Sequence, residues 1–249
     1  MIVTIYTLFP NLVEPYLQEA ILARAIHEGK LTVQIRDLRR FAGNASGRVD
    51  DAPYGGGAGM VIRPDVVTAA LNEVTQDEPP PNETVLLTPA GERATQRTME
   101  DLATQTHICL VAGRYEGFDA RAESRFDRHL SIGDYVLMGG ELPALVVLEA
   151  VARLLPGVLG DEDSHRHDSF STGLLDHPQY TRPAVFEGEA VPDVLTSGHH
   201  ANVAQWRRRT ALERTAKVRP DLIDPKKLTP DERAWLTALQ RNNNNEDDA

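Results

Sequence analysis

Three glycine-containing turns follow predicted strands, at residues 88–91, 113–117 and 133–140. Glycine lets a backbone approach a ligand with no side chain between them. In parallel sheets, ligands bind outside the carboxyl ends of the strands. The three turns therefore predict one shared pocket built from peptide N–H and C=O groups, and the chemistry of such a pocket is recognition of a small molecule.

The segment 131–144 carries the clearest local pattern in the chain. An apolar run ends in two adjacent glycines, where we expect a strand to finish. Glu141 and Pro143 suit the first turn of a helix, where acidic side chains and a missing N–H are tolerated. Apolar residues then recur at helical spacing. The pattern predicts a strand-to-helix turn that forms one wall of the pocket.

Residues 39–60 are rich in glycine and break every periodicity. They match neither the Walker loop nor the dinucleotide fingerprint. Asp50 and Asp51 beside Tyr54 would suit a nucleobase better than a phosphate, because carboxylates accept from base N–H groups and the ring can stack. The alternative is a mobile surface loop without a ligand.

The histidines and the single cysteine give poor support for a metal site. His165 and His167 lie two residues apart in an acidic stretch, and His199 and His200 are adjacent, so solvated histidines are the simpler interpretation. Cys109 falls in a buried strand and is interpreted as core packing. We predict no metal ligands.

Composition and charge bound the class of protein. The 249 residues carry a net charge of −11, which argues against indiscriminate nucleic-acid binding. Residues 201–227, however, hold 8 Lys/Arg against 3 Asp/Glu, so this segment is either a docking patch or a solvated helix face. With one cysteine, no membrane-length apolar run and an amino terminus that begins a strand, we expect a cytoplasmic protein.

The predicted elements give an α/β fold with a mostly parallel sheet. We predict strands at 2–8, 31–38, 84–88 (stopped by Pro89) and 107–112, and helices at 13–27, 64–74, 99–103, 201–217 and from 229 or 230 to 239. Residues 242–248 form a polar tail that we expect to be disordered. The acidic, apolar-poor stretch 161–168 predicts a flexible linker between a first domain, 1–160, and a helical second domain, 169–249.

Six motifs in this order resemble the bacterial tRNA (guanine-N1)-methyltransferases, the TrmD family of the SPOUT superfamily, over the whole chain. They are DAPYGGGAGM at 51–60, GRYEGFD at 113–119, SIGDYVLMGGELP at 131–143, DSF at 168–170 with GLLD at 173–176, PQYTRP at 178–183, and SGH at 197–199 with WR at 206–207.

The resemblance implies S-adenosylmethionine bound in the cleft of a deep C-terminal trefoil knot, in a homodimer with an active site shared between subunits. It implies tRNA as the partner and N1 of guanine 37, just 3′ of the anticodon, as the methylated atom. Without the resemblance, the sequence pattern predicts an ordinary open sheet and no knot, because threaded connections are rare among proteins.

Guanine N1 carries a proton at neutral pH, so the enzyme must remove it and stabilise negative charge that grows toward O6. By resemblance, Asp168 is the base and Arg153 faces O6. On residue grounds alone, Asp168 is interpreted as a solvated carboxylate at the edge of a linker. It gains basicity if the linker orders over the pocket when tRNA binds, and in a dimer it would act in the partner subunit's pocket.

The resemblance also assigns binding residues. The cofactor residues are Leu86, Leu87, Thr88, Pro89, Gly91, Gly113, Tyr115, Glu116, Ile132, Gly133, Asp134, Tyr135, Val136, Leu137, Gly139, Gly140 and Pro143. The tRNA residues are Asp50, Tyr54, Arg182, Ser197, His199, Trp206, Arg207 and Arg208. Glu116 could hold the cofactor's amino group or, as the less favoured role, a Mg²⁺ ion. Leu86 replaces an aromatic residue that many family members carry, and Trp206 fits a helix core as well as an RNA contact.

Three alternatives stay open. The chain could be a related knotted methyltransferase that acts on another RNA, or an RNA-binding relative without catalysis. A small-molecule enzyme with a doubly wound sheet is the third, but it does not explain the basic helix or the missing dinucleotide fingerprint.

Overall fold

The computed structural model describes residues 1–43, 47–160 and 168–247, with side chains up to residue 239. The chain divides into two compact units, Met1–Glu162 and Asp163–Ala249. Of the predicted linker, only Asp168 falls among the described residues, and the assignment of roles to the domains stays a prediction. No helix in the described ranges is long and apolar enough to cross a membrane.

The first unit is built on a parallel sheet. Its strands are β1 (Ile2–Thr7), β2 (Thr32–Asp37), β3 (Asp50–Asp51), β4 (Val61–Ile62), β5 (Glu83–Arg93), β6 (His107–Ala112) and β7 (Arg128–Ser131). Five of these form one sheet in the order β2-β1-β6-β5-β7, and every neighbouring pair in it is parallel. Strands β3 and β4 pair separately and antiparallel. The predicted α/β class with a parallel sheet is confirmed.

Helices cover both faces of this sheet. They are α1 (Pro10–Val13), α2 (Ala20–His27), α3 (Pro64–Val74), α4 (Gln96–Ala103), α5 (Ala120–Glu123) and α6 (Glu141–Ala152). Because side chains alternate along a strand, Val3 and Ile5 pack with α2, α4 and α6, whereas Tyr6 and Leu8 pack with α3 on the other face. Each such buried side chain contributes about 1.5–3 kcal/mol. Two hydrophobic cores, one on each face, thus hold the sheet in place between the helices.

Three predicted boundaries in this unit are wrong. The helix predicted at 13–27 is interrupted by a 3-10 helix, Glu14–Gln18, that contains Pro15, and by Ala20 with a φ of +53°. The strand predicted to stop at Pro89 continues to Arg93 through a bulge. The strand predicted to finish at the paired glycines 139 and 140 is β7, and it already ends at Ser131. The residues from 132 to 140 form a loop.

Gly91 explains why β5 can continue. A Cβ on this residue would lie 2.4 Å from the backbone nitrogen of Leu130 in β7, so only glycine lets the two strands pair again after the bulge. Residues 88–91 therefore leave the sheet and return to it. The helix prediction at 64–74 is confirmed, and α6 begins at Glu141 as the acidic first turn predicts.

The described part of the second unit contains a short hairpin and three α-helices: β8 (Val185–Phe186), β9 (Glu189–Ala190), α7 (Asp193–Thr196), α8 (His200–Val218) and α9 (Pro230–Asp247). Its small core joins Leu174, Leu212, Leu228 and Leu236. Helix α9 continues from its predicted end at residue 239 to Asp247. The predicted disorder of the polar tail is therefore wrong up to residue 247. Once a helix has formed its first turn, adding further residues costs little free energy.

Candidate active site

One cavity of about 350 Å³ lies at the carboxyl ends of β6 and β7, beside the bulge inside β5. The structure brings all three glycine turns of the sequence to this cavity. Its lining consists of Leu87, Thr88, Pro89, Ala90, Gly113, Arg114, Tyr115, Glu116, Gly117, Phe118, Glu123, Leu130, Ser131, Ile132, Gly133, Tyr135, Val136, Leu137, Met138, Gly139, Gly140 and Pro143.

The wall between β6 and α6 depends on close backbone contact. The N–H of Gly140 donates to the carbonyl of Gly113 at 2.8 Å, and Gly139 pairs with Arg114 in an isolated bridge. A Cβ on Gly140 would lie 2.7 Å from the Cα of Ala112. No residue with a side chain fits at position 140 without movement of its neighbours. The adjacent glycines therefore allow the backbone at 139–140 to lie against the backbone at 112–114.

Most predicted cofactor residues meet at the cavity, but three lie outside its lining. Leu86 is fully buried and points into the core that α3 covers, because strand alternation turns it away from Leu87. Gly91 serves the contact between strands β5 and β7. Asp134 is exposed, with a carboxylate oxygen 3.9 Å from Arg93.

Glu116 joins the cavity to the glycine-rich segment. Its N–H donates to the carbonyl of Met60 at 3.0 Å, and its carboxylate occupies the space that a Cβ on Gly59 would need. Among the side chains described in residues 1–43, 47–160 and 168–239, no three His, Cys, Asp or Glu cluster to hold a metal ion. Burial raises the pKa of the Cys109 thiol, so this group stays protonated and unreactive.

A buried ion pair lies under the cavity wall, and sequence reasoning missed it. Nε of Arg114 lies 2.9 Å from Oε2 of Glu141, whose side chain is only 3% exposed. The N–H does not point at that oxygen, so the two atoms attract as charges without a formed hydrogen bond. Thr7 donates its hydroxyl to Oε1 of Glu141 at 2.7 Å, and the Arg114 guanidinium stacks 4.6 Å from the Phe9 ring centre. The GRYEGFD motif contains the arginine, but spacing gives no direction for its side chain.

The two predicted catalytic residues belong to different units. Arg153 caps the carboxyl end of α6, is half-buried, and donates its backbone N–H to the carbonyl of Glu149. Asp168 is half-buried in the second unit, and its carbonyl accepts from the N–H of Ser171 at 3.3 Å. Their proximity stays a prediction. His165 and His167 fall outside the described residues.

The predicted tRNA residues fall in two places. In the first unit, Asp50 is in β3 and Tyr54 is 99% exposed in the glycine-rich segment. In the second unit, Ser197 and His199 are exposed before α8. Arg182, Trp206 and Arg207 line a cleft of about 520 Å³, which we call the α8 cleft. Arg208 instead pairs with Glu232 at 2.8 Å and lowers the pKa of that carboxyl.

The chain matches known proteins over most of its length. A family model described as "tRNA (Guanine-1)-methyltransferase TrmD" matches residues 1–225. The chain is 58% identical over 233 residues to the tRNA (guanine-N(1)-)-methyltransferase of Deinococcus radiodurans, with 94% of this chain and 84% of that relative covered. It is 56% identical over 238 residues to the protein of the same name from Thermus thermophilus, with 96% of this chain and 98% of that relative covered. The resemblance drawn from the motifs is thereby confirmed, and the chain belongs to the tRNA (guanine-1)-methyltransferase TrmD family.

Proposed function

We propose that this protein transfers a methyl group from S-adenosylmethionine to N1 of guanine 37, the residue 3′ of the anticodon, in tRNA. The observation that carries the proposal is the backbone-walled cavity at the ends of β6 and β7 and the bulge of β5, in a chain that belongs to this family. The net negative charge fits an enzyme that recognises one class of RNA through local contacts better than a general nucleic-acid binder.

The cavity residues fit the proposed donor. Peptide groups of 132–140 would read the edge of the adenine, and Ile132, Leu137 and Pro143 provide apolar contacts for its ring. The carboxylate of Glu116, exposed at the rim of the cavity, would bind the positively charged amino group of the donor. We prefer this role to Mg²⁺ binding. When bound, S-adenosylmethionine supplies a methyl group that its positive sulfur already activates.

The chemistry left to the chain is proton removal and charge stabilisation. We propose that Asp168 accepts the N1 proton of the guanine and that the Arg153 guanidinium stabilises the charge that develops on O6. Asp168 becomes a stronger base when bound tRNA excludes water from it, because desolvation disfavours the carboxylate. Asp50 and Tyr54 would contact a neighbouring base.

We propose that the chain segment 132–140 threads a trefoil knot. Support comes from the order of the strands: β7 lies at the sheet edge beyond β5, yet Gly139 pairs with Arg114 next to β6. The segment must therefore cross β5 at the bulge of residues 88–91. Such a crossing is unusual among proteins.

We propose that two copies form a homodimer through α6 and the segment before α2. Leu142 and Val146 on α6 are 62% and 49% exposed, and Leu12 and Tyr16 are 54% and 46% exposed. Tyr16 donates its hydroxyl to Glu149 of α6, so these apolar side chains share one surface. Exposed apolar patches of this kind mark interfaces. A tRNA substrate and a lone buried cysteine fit the cytoplasm.

The test of the active site uses two variants. Asp168→Asn removes the base and keeps the shape, so turnover should be lost while calorimetry still detects S-adenosylmethionine binding. Arg153→Ala should also be inactive. If the two residues meet across subunits, mixing the variants should restore part of the activity, because some heterodimers contain one intact site. Normal turnover by Asp168→Asn would overturn its assignment as the base.

A further inference from the structure

The segment 168–176, which begins with the proposed base, folds back on itself as a closed turn. The N–H of Phe170 donates to the carbonyl of Leu174 at 2.7 Å, and the N–H of Asp176 donates to the Ser169 hydroxyl at 2.9 Å. Phe170 has a φ of +76°, which is strained for a residue with a side chain and persists only where the surroundings impose it. The backbone next to the base is therefore held in one shape by hydrogen bonds across the turn.

Thr215 of α8 fastens this turn to the helix. Its side chain is fully buried, and its hydroxyl accepts from the N–H of Leu175 at 2.9 Å and donates to the carbonyl of Ala211 at 2.6 Å. Nη1 of Arg214 also donates to the carbonyl of Asp176 at 3.3 Å. A threonine inside a helix commonly returns its hydroxyl to the preceding helical turn. The bond to a second segment is the added feature, and it satisfies a partly buried backbone N–H of the 168–176 turn.

We infer that Thr215 is a positioning residue for the proposed base, Asp168. Its bond to Leu175 and the bond between Asp176 and Ser169 connect α8 to the residue that follows the base. A base must lie within hydrogen-bond reach of the proton that it accepts, and a misplacement of about 1 Å costs up to about 100-fold in rate. The inference rests on the proposed function, since Thr215 acts only through Asp168.

The helix that holds the turn is also the helix predicted to meet the substrate. Trp206 and Arg207, which we predict to contact tRNA, lie on α8 together with Thr215. The bond from Thr215 therefore ties the base and these predicted contacts to one element. Once tRNA is docked, the base keeps a fixed position relative to it, as proton transfer requires.

The experiment compares variants of the full chain with the wild type. Thr215→Val keeps the branched shape of the side chain and removes the hydroxyl, whereas Thr215→Ser keeps the hydroxyl. Thr210→Val is the matched control, because the Thr210 hydroxyl also donates to a carbonyl of α8, that of Trp206, at 2.9 Å. The single-turnover rate of methyl transfer at saturating tRNA, the Kd for a transcribed tRNA with G 3′ of the anticodon and the Kd for S-adenosylmethionine are measured for each variant.

Thr215→Val should lower the single-turnover rate about tenfold, because release of the turn from α8 leaves Asp168 misplaced for part of the time. Thr215→Ser and Thr210→Val should transfer at nearly the wild-type rate. Neither Kd should change in any variant, and tryptophan fluorescence should show a folded second unit. A role of Thr215 in stability alone would not lower the rate of a protein that is folded and saturated with both substrates.

Ser169→Ala tests the same turn from its other end and keeps the test open should Thr215→Val not fold. It removes the hydroxyl that accepts from Asp176 and leaves α8 intact, so it should also lower the single-turnover rate about tenfold with both Kd values unchanged. When both single variants fold, the double variant should lose little more than either one, because both release the same turn.

A wild-type transfer rate in folded Thr215→Val, or in Ser169→Ala, would overturn the inference. So would equal losses in Thr215→Val and Thr210→Val, or a loss that appears only in the Kd for tRNA, because the hydroxyl would then not act through the turn. Asp168→Asn separates these outcomes from a failure of the proposed function. Normal transfer by Asp168→Asn means that the proposed base is wrong, whereas an inactive Asp168→Asn beside an unimpaired Thr215→Val contradicts the positioning role alone.

Discussion

The Arg114–Glu141 pair should determine both the stability of the first unit and its affinity for the methyl donor. Glu141→Gln keeps the shape of the side chain and an oxygen for the Thr7 hydroxyl, which now donates at 2.7 Å. It removes the negative charge 2.9 Å from Nε of Arg114. The guanidinium is then left without its counter-charge beneath the cavity wall.

The size of the effect follows from burial. Removing one partner of a buried ion pair costs about 3–5 kcal/mol, because the remaining charge stays out of water. The Arg114 side chain is 18% exposed, so some solvent reaches it and the lower end, about 3 kcal/mol, applies. Typical domains unfold with about 5–15 kcal/mol, so the variant should remain folded. Since the same pair holds the segment that ends at Gly140, we also expect the Kd for S-adenosylmethionine to rise about tenfold.

Urea unfolding followed by circular dichroism measures the stability term, and calorimetry measures the Kd. Both tryptophans, Trp206 and Trp235, lie in the second unit, so their fluorescence reports that unit separately and should not shift. Glu100→Gln is the matched control. It makes the same substitution at an exposed residue of helix α4 in the same unit and should change the free energy of unfolding by less than about 0.5 kcal/mol.

The double variant Arg114→Met with Glu141→Gln separates a charge effect from a packing effect. If the uncompensated arginine causes the loss, the double variant should be more stable than Glu141→Gln alone. Unfolding of Glu141→Gln at the same urea concentration as Glu100→Gln, together with wild-type affinity for the donor, would refute a structural role for the buried pair.

Three further predictions concern the wall, the second unit and the dimer. Gly140→Ala should weaken S-adenosylmethionine binding at least about tenfold by calorimetry, because its Cβ would lie 2.7 Å from the last Cα of β6; Gly160→Ala, with open space around it, should have no effect. The hydrogen bond from Arg208 lowers the pKa of Glu232, so the ionised carboxylate stabilises the second unit at neutral pH. This contribution is lost as the pH falls from the ordinary carboxyl pKa through the lowered pKa of Glu232. Glu232→Gln should therefore flatten the acid side of the tryptophan-detected stability curve, and an unchanged curve would contradict the pairing. Leu142→Asp should turn the proposed homodimer into monomers in sedimentation equilibrium, since it places a charge on a 62% exposed apolar residue of the proposed interface.

The elements with strong periodicity could be predicted from the sequence. The buried run of β6, the proline-started helix α3 and the acidic start of α6 each depend on local chemistry that the structure reproduces. The meeting of the turns after β6 and β7 at one cavity followed from one rule about parallel strands. The predicted turn at 88–91 also lines this cavity, but as a bulge inside β5 and not as a strand end.

What the sequence could not reveal depends on contacts between distant segments. The bulge in β5 requires Gly91 to fit against Leu130, and nothing near residue 91 indicates that neighbour. Arg114 and Glu141 lie far apart in the chain, so their pairing with Thr7 beneath the wall was missed. Leu86 faces the core and not the cavity, because the direction of one side chain depends on strand register.

The most direct test of the central claim is to locate the transferred methyl group. The protein, labelled S-adenosylmethionine and a tRNA transcript with G 3′ of the anticodon are incubated, and the product is digested and sequenced by mass spectrometry. We expect 1-methylguanosine at that one nucleotide and no transfer to a transcript with A in its place. A methyl group on any other atom or nucleotide, or equal transfer to both transcripts, would contradict it.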